Sequence, residues 1–276
     1  MKRHLFRILS VASLAAPASA TTHVYMTGED APWGISADDN GSPEAAMQIA
    51  LGKTDWKSAF GFTTDVFKGA TFVYLEGGDG SGLAKFLESG GRDAVESFVK
   101  SGGAVLVNAA RNDGDEAVNA GFGLTLTGGR YSDIGKLTDA GFRIGLDGGD
   151  AGTRWSGNYF SHDSVSCELY GCKTALSFID GSEGSTLMGA AFGKGFLMVG
   201  GMTAPFWQSD GGANLRANMI THASAQSALV SADELATAGV VPEPASWAMM
   251  IAGFGLIGFE VRRRRKAPML HTVSCS

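Results

Sequence analysis

Charge is scarce in this chain, at 18% of its 276 residues, and basic charge is scarcer than acidic, with 22 Lys+Arg against 28 Asp+Glu. Between residues 21 and 243 there are 14 Lys+Arg and 27 Asp+Glu, a net of -13. So acidic a surface repels phosphates, and no Lys/Arg stripe with interleaved aromatics occurs, which excludes nucleic acid as a partner. Cysteine is limited to Cys167, Cys172 and Cys275. With no second Cys/His pair at metal spacing, the sequence offers no zinc site. The Gly-x-Ser-x-Gly turn that presents a hydrolase serine is missing. Gly77 to Gly82 is glycine-rich but lacks the Gly-Lys-[Ser/Thr] that grips phosphate. Asn112-Asp113-Gly114-Asp115-Glu116 departs from EF-hand spacing and reads as an acidic surface loop. Neither a metal nor a cofactor is expected. What the chain does have is 40 glycines and 44% hydrophobic residues. That excludes a disordered chain and suits a loop-rich α/β or β domain with a real core.

The two ends carry addresses. Met1-Lys2-Arg3-His4 and Arg7 precede a short run of apolar and small residues, Ile8 to Ala16, and Ala18-Ser19-Ala20 then supplies small residues for cleavage. This reads as a signal peptide over 1–20, cut by signal peptidase before Thr21, because the run is too short for a bilayer of about 30 Å. At the other end Pro242-Glu243-Pro244 leads into an apolar segment, residues 245–261, and then Arg262-Arg263-Arg264-Arg265-Lys266. As a helix at about 1.5 Å per residue that segment spans about 25 Å, a marginal permanent anchor. The arginines hold its end in the cytoplasm by the positive-inside rule, with residues 267–276 as a short cytoplasmic tail. This tripartite end resembles the PEP-CTERM sorting signal of Gram-negative bacteria. The resemblance implies recognition near Pro242-Glu243-Pro244 by an exosortase-type transpeptidase. It also implies transient anchoring in the inner membrane through the helix, then release to the cell surface or an exopolysaccharide matrix. An ordinary membrane anchor is the alternative. Export makes a disulfide between Cys167 and Cys172 the expectation, two partly buried free thiols being the other reading; Cys275, beyond the arginines, is not a partner.

Between these ends the pattern is α/β. Thr22 to Thr27 and Ala70 to Leu75 read as strands, the second followed by the turn Glu76-Gly77-Gly78-Asp79-Gly80. Ser42-Pro43 starts a helix with Met47, Ala50 and Leu51 on one face. Arg92 to Lys100 is a helix with Ala94, Val95, Phe98 and Val99 on one face, stopped by Gly102-Gly103, and Ala104 to Val107 is the next buried strand. Residues 70–111, ending in FVKSGGAVLVNAA, resemble the centre of the glutamine-amidotransferase-like fold, in particular its trehalose-utilisation-protein-like branch. Phe196 to Gly201 and Leu215 to Ile220 are similar to that branch's last strand and closing helix. The resemblance implies a single flavodoxin-like (class I glutamine-amidotransferase-like) α/β domain over 21–224, with a mainly parallel sheet. Phe122 to Thr127, Phe142 to Leu146 and Lys173 to Ile179 are expected as short strands or β-hairpins inserted on that sheet. Residues 225–241 are expected as a linker.

Ligands of open α/β sheets bind where loops leave the C-terminal strand ends. The residues there are Glu29 and Asp30, Glu76 and Asp79, Asn108 and Arg111, and His162 with Asp163. Amidotransferases of this fold place a nucleophilic cysteine after the strand matching Ala104–Val107. Here Ala109 and Ala110 occupy that turn, so a covalent mechanism loses its nucleophile. The expectation is therefore an exported, non-catalytic surface or matrix protein. Exopolysaccharide is its expected ligand, stacked on Trp155, Tyr159, Phe206 or Trp207 if they are exposed. The alternative is an extracytoplasmic hydrolase using Glu76, Asp79, His162 and Asp163, which requires those four to converge.

Overall fold

The computed structural model describes residues 22–238 except 113, 147–153, 169 and 209–211. The expected signal peptide, the sorting segment 242–266 with its helix, and the tail after it lie outside the described residues. Among the described residues no helix is long and apolar enough to cross a membrane.

Twelve strands among these residues form one sheet. The first four are β1 (His23–Thr27), β2 (Trp56–Phe60), β3 (Phe72–Glu76) and β4 (Ala104–Asn108). Then come β5 (Ala117–Gly121), β6 (Leu124–Thr127), β7 (Ser132–Leu137) and β8 (Arg154–Ser161). The last four are β9 (Ser164–Cys167), β10 (Leu176–Gly181), β11 (Gly184–Phe192) and β12 (Gly195–Gly200). Five helices accompany them: α1 (Pro43–Leu51), α2 (Gly82–Phe86), α3 (Arg92–Lys100), α4 (Asp139–Arg143) and α5 (Gly212–Ala238).

Five of the twelve strands are parallel, in the order β2-β1-β3-β4-β12. That is the 2-1-3-4-5 order of a doubly wound sheet. Every residue of β3, β4 and β12 is buried, as their continuous apolar runs require of strands covered on both faces. Successive side chains alternate between two cores. Val73, Leu75, Val105, Val107, Leu197 and Val199 pack with Leu83, Phe86, Val95 and Val99 of α2 and α3. Phe72, Tyr74, Leu106, Phe196 and Met198 pack with Ala46 and Met47 of α1 and with Leu215, Met219 and Ile220 of α5. Helix α1 begins as its sequence dictates, with Ser42 Oγ accepting the Ala45 N–H at 3.0 Å and Pro43 in the first turn. After α3, Gly102 turns at φ +115°, a conformation glycine adopts without strain.

The expected inserted hairpins are instead a continuation of the same sheet. β11 pairs antiparallel with β12, and β10, β7 and β8 extend the row, while β5, β6 and β9 branch from β11. The architecture is thus mixed α/β with one large mixed sheet. Phe142 to Leu146, expected as a strand, falls at the end of α4. Thr138 Oγ1 accepts the Gly141 N–H there at 3.1 Å, and this cap outweighs the apolar alternation of Phe142, Ile144 and Leu146. Lys173 to Ile179 gives way to the shorter β10. The stretch expected as a linker is helical as far as Ala238, with the compact unit ending at Ser227 rather than at residue 224. Small, alanine-rich residues favour helix as readily as coil. Cys167 and Cys172 are joined, with Cα atoms 5.6 Å apart, at the end of β9.

Candidate functional site

Parallel register sets one row of residues level at the C-terminal strand ends: Thr27, Glu76, Asn108 and Gly200. Glu76 is fully buried there. Its carboxylate accepts from Asn108 Nδ2 at 3.2 and 3.3 Å, from Gly78 N–H at 3.0 Å, from Arg216 Nη1 at 3.1 Å and from the Tyr74 hydroxyl. Burial raises the Tyr74 pKa well above the phenol range, so its hydroxyl remains a neutral donor. Arg216, equally buried on α5, also donates to the carbonyls of Thr203 at 2.7 Å and Met202 at 3.3 Å. With its lone pairs taken and a guanidinium against it, Glu76 has no free edge for acid–base work.

A second buried pair lies beside it. The hairpin turn between β8 and β9 docks on the exit of β12, with the amides of His162 and Asp163 donating to Gly201 O at 3.1 and 3.3 Å. This brings Asp163 against Arg111 from the loop after β4. Arg111 donates through its backbone N–H to Oδ1 at 2.8 Å and through Nε to Oδ2 at 2.8 Å, and Nη2 lies 2.6 Å from Oδ2. Burial raises the Asp163 pKa, against the pull of Arg111. Ala109 and Ala110 are buried in the same loop.

Above these pairs opens a cleft of about 630 Å³ lined by Trp33, Asp79, Asn112, Tyr131, Tyr159, His162, Thr203 and Trp207. His162 sits among three rings, with centroids 4.8 Å from Tyr131, 5.6 Å from Tyr159 and 5.8 Å from Trp33. Burial lowers its pKa, partly offset by a hydrogen bond to the Ala110 backbone and by the charge of Asp79, so the ring is neutral at neutral pH. Tyr131, Tyr159 and Trp207 are 44, 49 and 43% exposed, leaving ring surface free for a ligand. Trp33 and Tyr159 hold φ of +66° and +67°. A left-handed backbone costs a bulky residue about 1–2 kcal/mol. Strain of this kind persists where the surrounding structure over-determines it, and functional sites collect it.

Asp79 is half-buried at the rim, where it accepts from Asn112 Nδ2 at 3.0 Å. Behind it stands Glu29, hydrogen-bonded to Asp79 and to Gly80 N–H at 3.2 Å. A Cβ at Gly78, where φ is +62°, would collide with the Glu29 carboxyl, so the approach depends on glycine. Burial first, then the charge of Asp79, pushes the Glu29 pKa from 4.5 up to about 7. Between those values the folded chain keeps a proton that the unfolded chain releases, so stability is fully present below about pH 4.5 and falls as pH rises through 7. Because Glu29 is only part-buried, the loss is screened to about 1–2 kcal/mol. Glu29→Gln is expected to remove this slope, which urea unfolding at a series of pH values would read; an unchanged slope would contradict the assignment.

The structure therefore divides the four expected site residues. Asp79 and His162 meet in the cleft, while Glu76 and Asp163 are held in ion pairs beneath it. Trp155 is fully buried in the core and cannot stack on a ligand, Tyr159 and Trp207 line the cleft, and Phe206 is exposed outside its lining. Trp33, Tyr131 and the roles of Glu29 and Arg216 escape the sequence; Pro32-Trp33-Gly34, an aromatic between turn formers, was the one local signal. No group of three or more metal-ligating side chains occurs among the described residues. No serine or cysteine lines the cleft among them, and the Thr203 hydroxyl is engaged with the carbonyls of Tyr159 and Phe160.

The fold is thus a mixed α/β one with an aromatic cleft at its strand ends. Residues 240–266 match the PEP-CTERM protein-sorting motif, which implies export, processing by exosortase and sorting to the cell surface. No curated protein matches the chain in sequence. Among solved structures, a cytoplasmic protein from Salmonella typhimurium LT2 is similar over 74% of this chain and 99% of its own, at 8% identity and a TM-score of 0.46. A ThuA-like protein from Parabacteroides merdae is similar over 75% of this chain and 90% of its own, at 12% identity and a TM-score of 0.37. A β-galactosidase from Bacillus circulans sp. alkalophilus is similar over 77% of this chain but 32% of the enzyme, at 15% identity and a TM-score of 0.43. Likenesses at this level assign no role to any residue.

Proposed function

We propose that this chain is a cell-surface or matrix-associated protein whose flavodoxin-like body binds polysaccharide in the aromatic cleft without cleaving it. The observation that carries the reading is the composition of the cleft. Four aromatic side chains, Trp33, Tyr131, Tyr159 and Trp207, share it with hydrogen-bonding groups of Asp79, Asn112 and His162. Flat rings stack on the apolar faces of sugars, and polar groups between them engage hydroxyls. The buried carboxylates beneath are neutralised by Arg216 and Arg111, and the turn after β4 carries alanines where a nucleophile would stand. These features favour binding over hydrolysis.

In this reading the signal peptide is removed by signal peptidase and the segment 245–261 halts the chain in the inner membrane. Exosortase then cuts near Pro242-Glu243-Pro244, releasing the body to the surface or to the exopolysaccharide. Incubation of the exported protein with the host polysaccharide tests both halves. The polysaccharide is expected to retain the protein, with no new reducing ends and a mature C-terminus near residue 242 by mass spectrometry. Accumulating reducing ends would favour a hydrolase, and an intact tail would mean a permanent anchor.

A further inference from the structure

The cleft is one-sided in its charge. Among its described lining residues there is neither lysine nor arginine, and Asp79 is the carboxylate. Burial lowers the pKa of His162 and so disfavours a positive charge there. Glu29 stands directly behind Asp79 and shares a hydrogen bond with it; with its pKa pushed up to about 7, it keeps its proton below that pH and supports the rim as a neutral partner. The rings add to this field, because the face of each aromatic is the negative part of its quadrupole. Three of them are exposed enough to meet a ligand, namely Tyr131, Tyr159 and Trp207. At longer range the stretch 21–243 carries a net of -13, which attracts cations and repels uronates, sulfates and phosphates. Near and distant fields therefore have one sign. Exposed ring faces that share one cleft with a carboxylate form a combination that recognises an ammonium group.

We propose that the cleft selects a ligand bearing a cationic amine, which, resting on the carbohydrate-binding reading, makes that ligand an amino sugar of a de-N-acetylated polysaccharide. The ammonium would sit between the Asp79 carboxylate and the ring faces, while the sugar's apolar face stacks on the remaining aromatics. N-acetylation removes the charge and should forfeit the attraction.

Calorimetric titration of the exported protein with three probes at about pH 6, where a primary amine holds its proton, tests this. The probes are a glucosamine oligomer, its fully N-acetylated counterpart of the same length, and tetramethylammonium chloride. The glucosamine oligomer is expected to bind at least about tenfold more tightly than the acetylated one, with a preference that falls as salt is added. Asp79→Asn, which keeps an acceptor for Asn112, is expected to abolish the difference while leaving the unfolding midpoint close to that of the parent chain. Equal affinity for the two oligomers would overturn the amine proposal and leave carbohydrate binding standing. Binding of tetramethylammonium with neither oligomer bound would support selection of a cation and overturn the sugar reading. No heat with any probe would overturn both.

Discussion

Arg216→Ala is expected to cost about 3–5 kcal/mol of folding stability, the range for removing one partner of a buried ion pair. Arg216 is 1% exposed and stands against a Glu76 that is fully buried. Truncation would leave a buried carboxylate without counter-charge at the strand ends, and would also remove one donor each from the carbonyls of Met202 and Thr203, which keep Asn108 and Gln208 as donors. A domain with a total stability of about 5–15 kcal/mol would then lie close to its unfolding limit. Urea unfolding of the exported protein measures the loss. The double variant Glu76→Gln/Arg216→Met supplies the control. Glutamine still accepts from Asn108 and Gly78, and methionine fills the guanidinium's volume without charge. A substantial part of the loss is expected to return, which a double-mutant cycle would record as coupling. A loss below about 0.5 kcal/mol for Arg216→Ala would mean that the Arg216–Glu76 pair does not hold this end of the sheet together.

The second large effect is expected at Asp163→Ala. Arg111 would lose the bonds from its backbone N–H and its Nε together with its ion pair, in a site where both side chains are almost wholly buried. The cost is again about 3–5 kcal/mol. Here the damage should reach function, because Asp163 fixes the turn that carries His162 into the cleft. Arg111→Leu/Asp163→Leu, which removes both charges, is expected to be more stable than Asp163→Ala alone. If the single variant proves the more stable, the pair is not what holds the turn.

Much of the scaffold is readable from residue order. β3, β4 and β12 are short apolar runs bounded by glycine, and α1 and α3 announce themselves by cap and periodicity. Sheet positions fail the eye where strands are polar or glycine-rich. β2, Trp56–Phe60, is an edge strand with mostly exposed side chains, so no apolar run marks it. β11 mixes exposed and buried residues in Gly184–Phe192 without strict alternation, because it bends between partners on both sides. α4 was hidden by three apolar residues at strand spacing.

The site shows the same division. Asp79 and His162 are visible as polar residues in loops at strand ends, which any open α/β sheet presents on one edge. Glu76 and Asp163 look alike in sequence, and what separates them is a partner far along the chain. Arg216 lies 140 residues from Glu76, and Arg111 lies 52 from Asp163. Nothing local distinguishes a carboxylate that faces solvent from one locked by a distant guanidinium. The aromatic walls come from three connections and from strand β8, so no spacing rule gathers Trp33, Tyr131, Tyr159 and Trp207. Three of them, Trp33, Tyr131 and Tyr159, meet at His162 on the turn docked at Gly201.

The most direct test of a binding cleft removes its exposed rings and leaves the ion pairs beneath untouched. Equilibrium binding of the host polysaccharide should be compared between the exported protein and its Tyr159→Ala/Trp207→Ala variant, with unfolding followed in parallel. Two lost stacking contacts at about 1 kcal/mol each predict a drop in affinity of roughly tenfold or more, with the unfolding midpoint little changed because both side chains are substantially exposed. Undiminished binding by a folded double variant would contradict the account, and would place the polysaccharide contact elsewhere on the body.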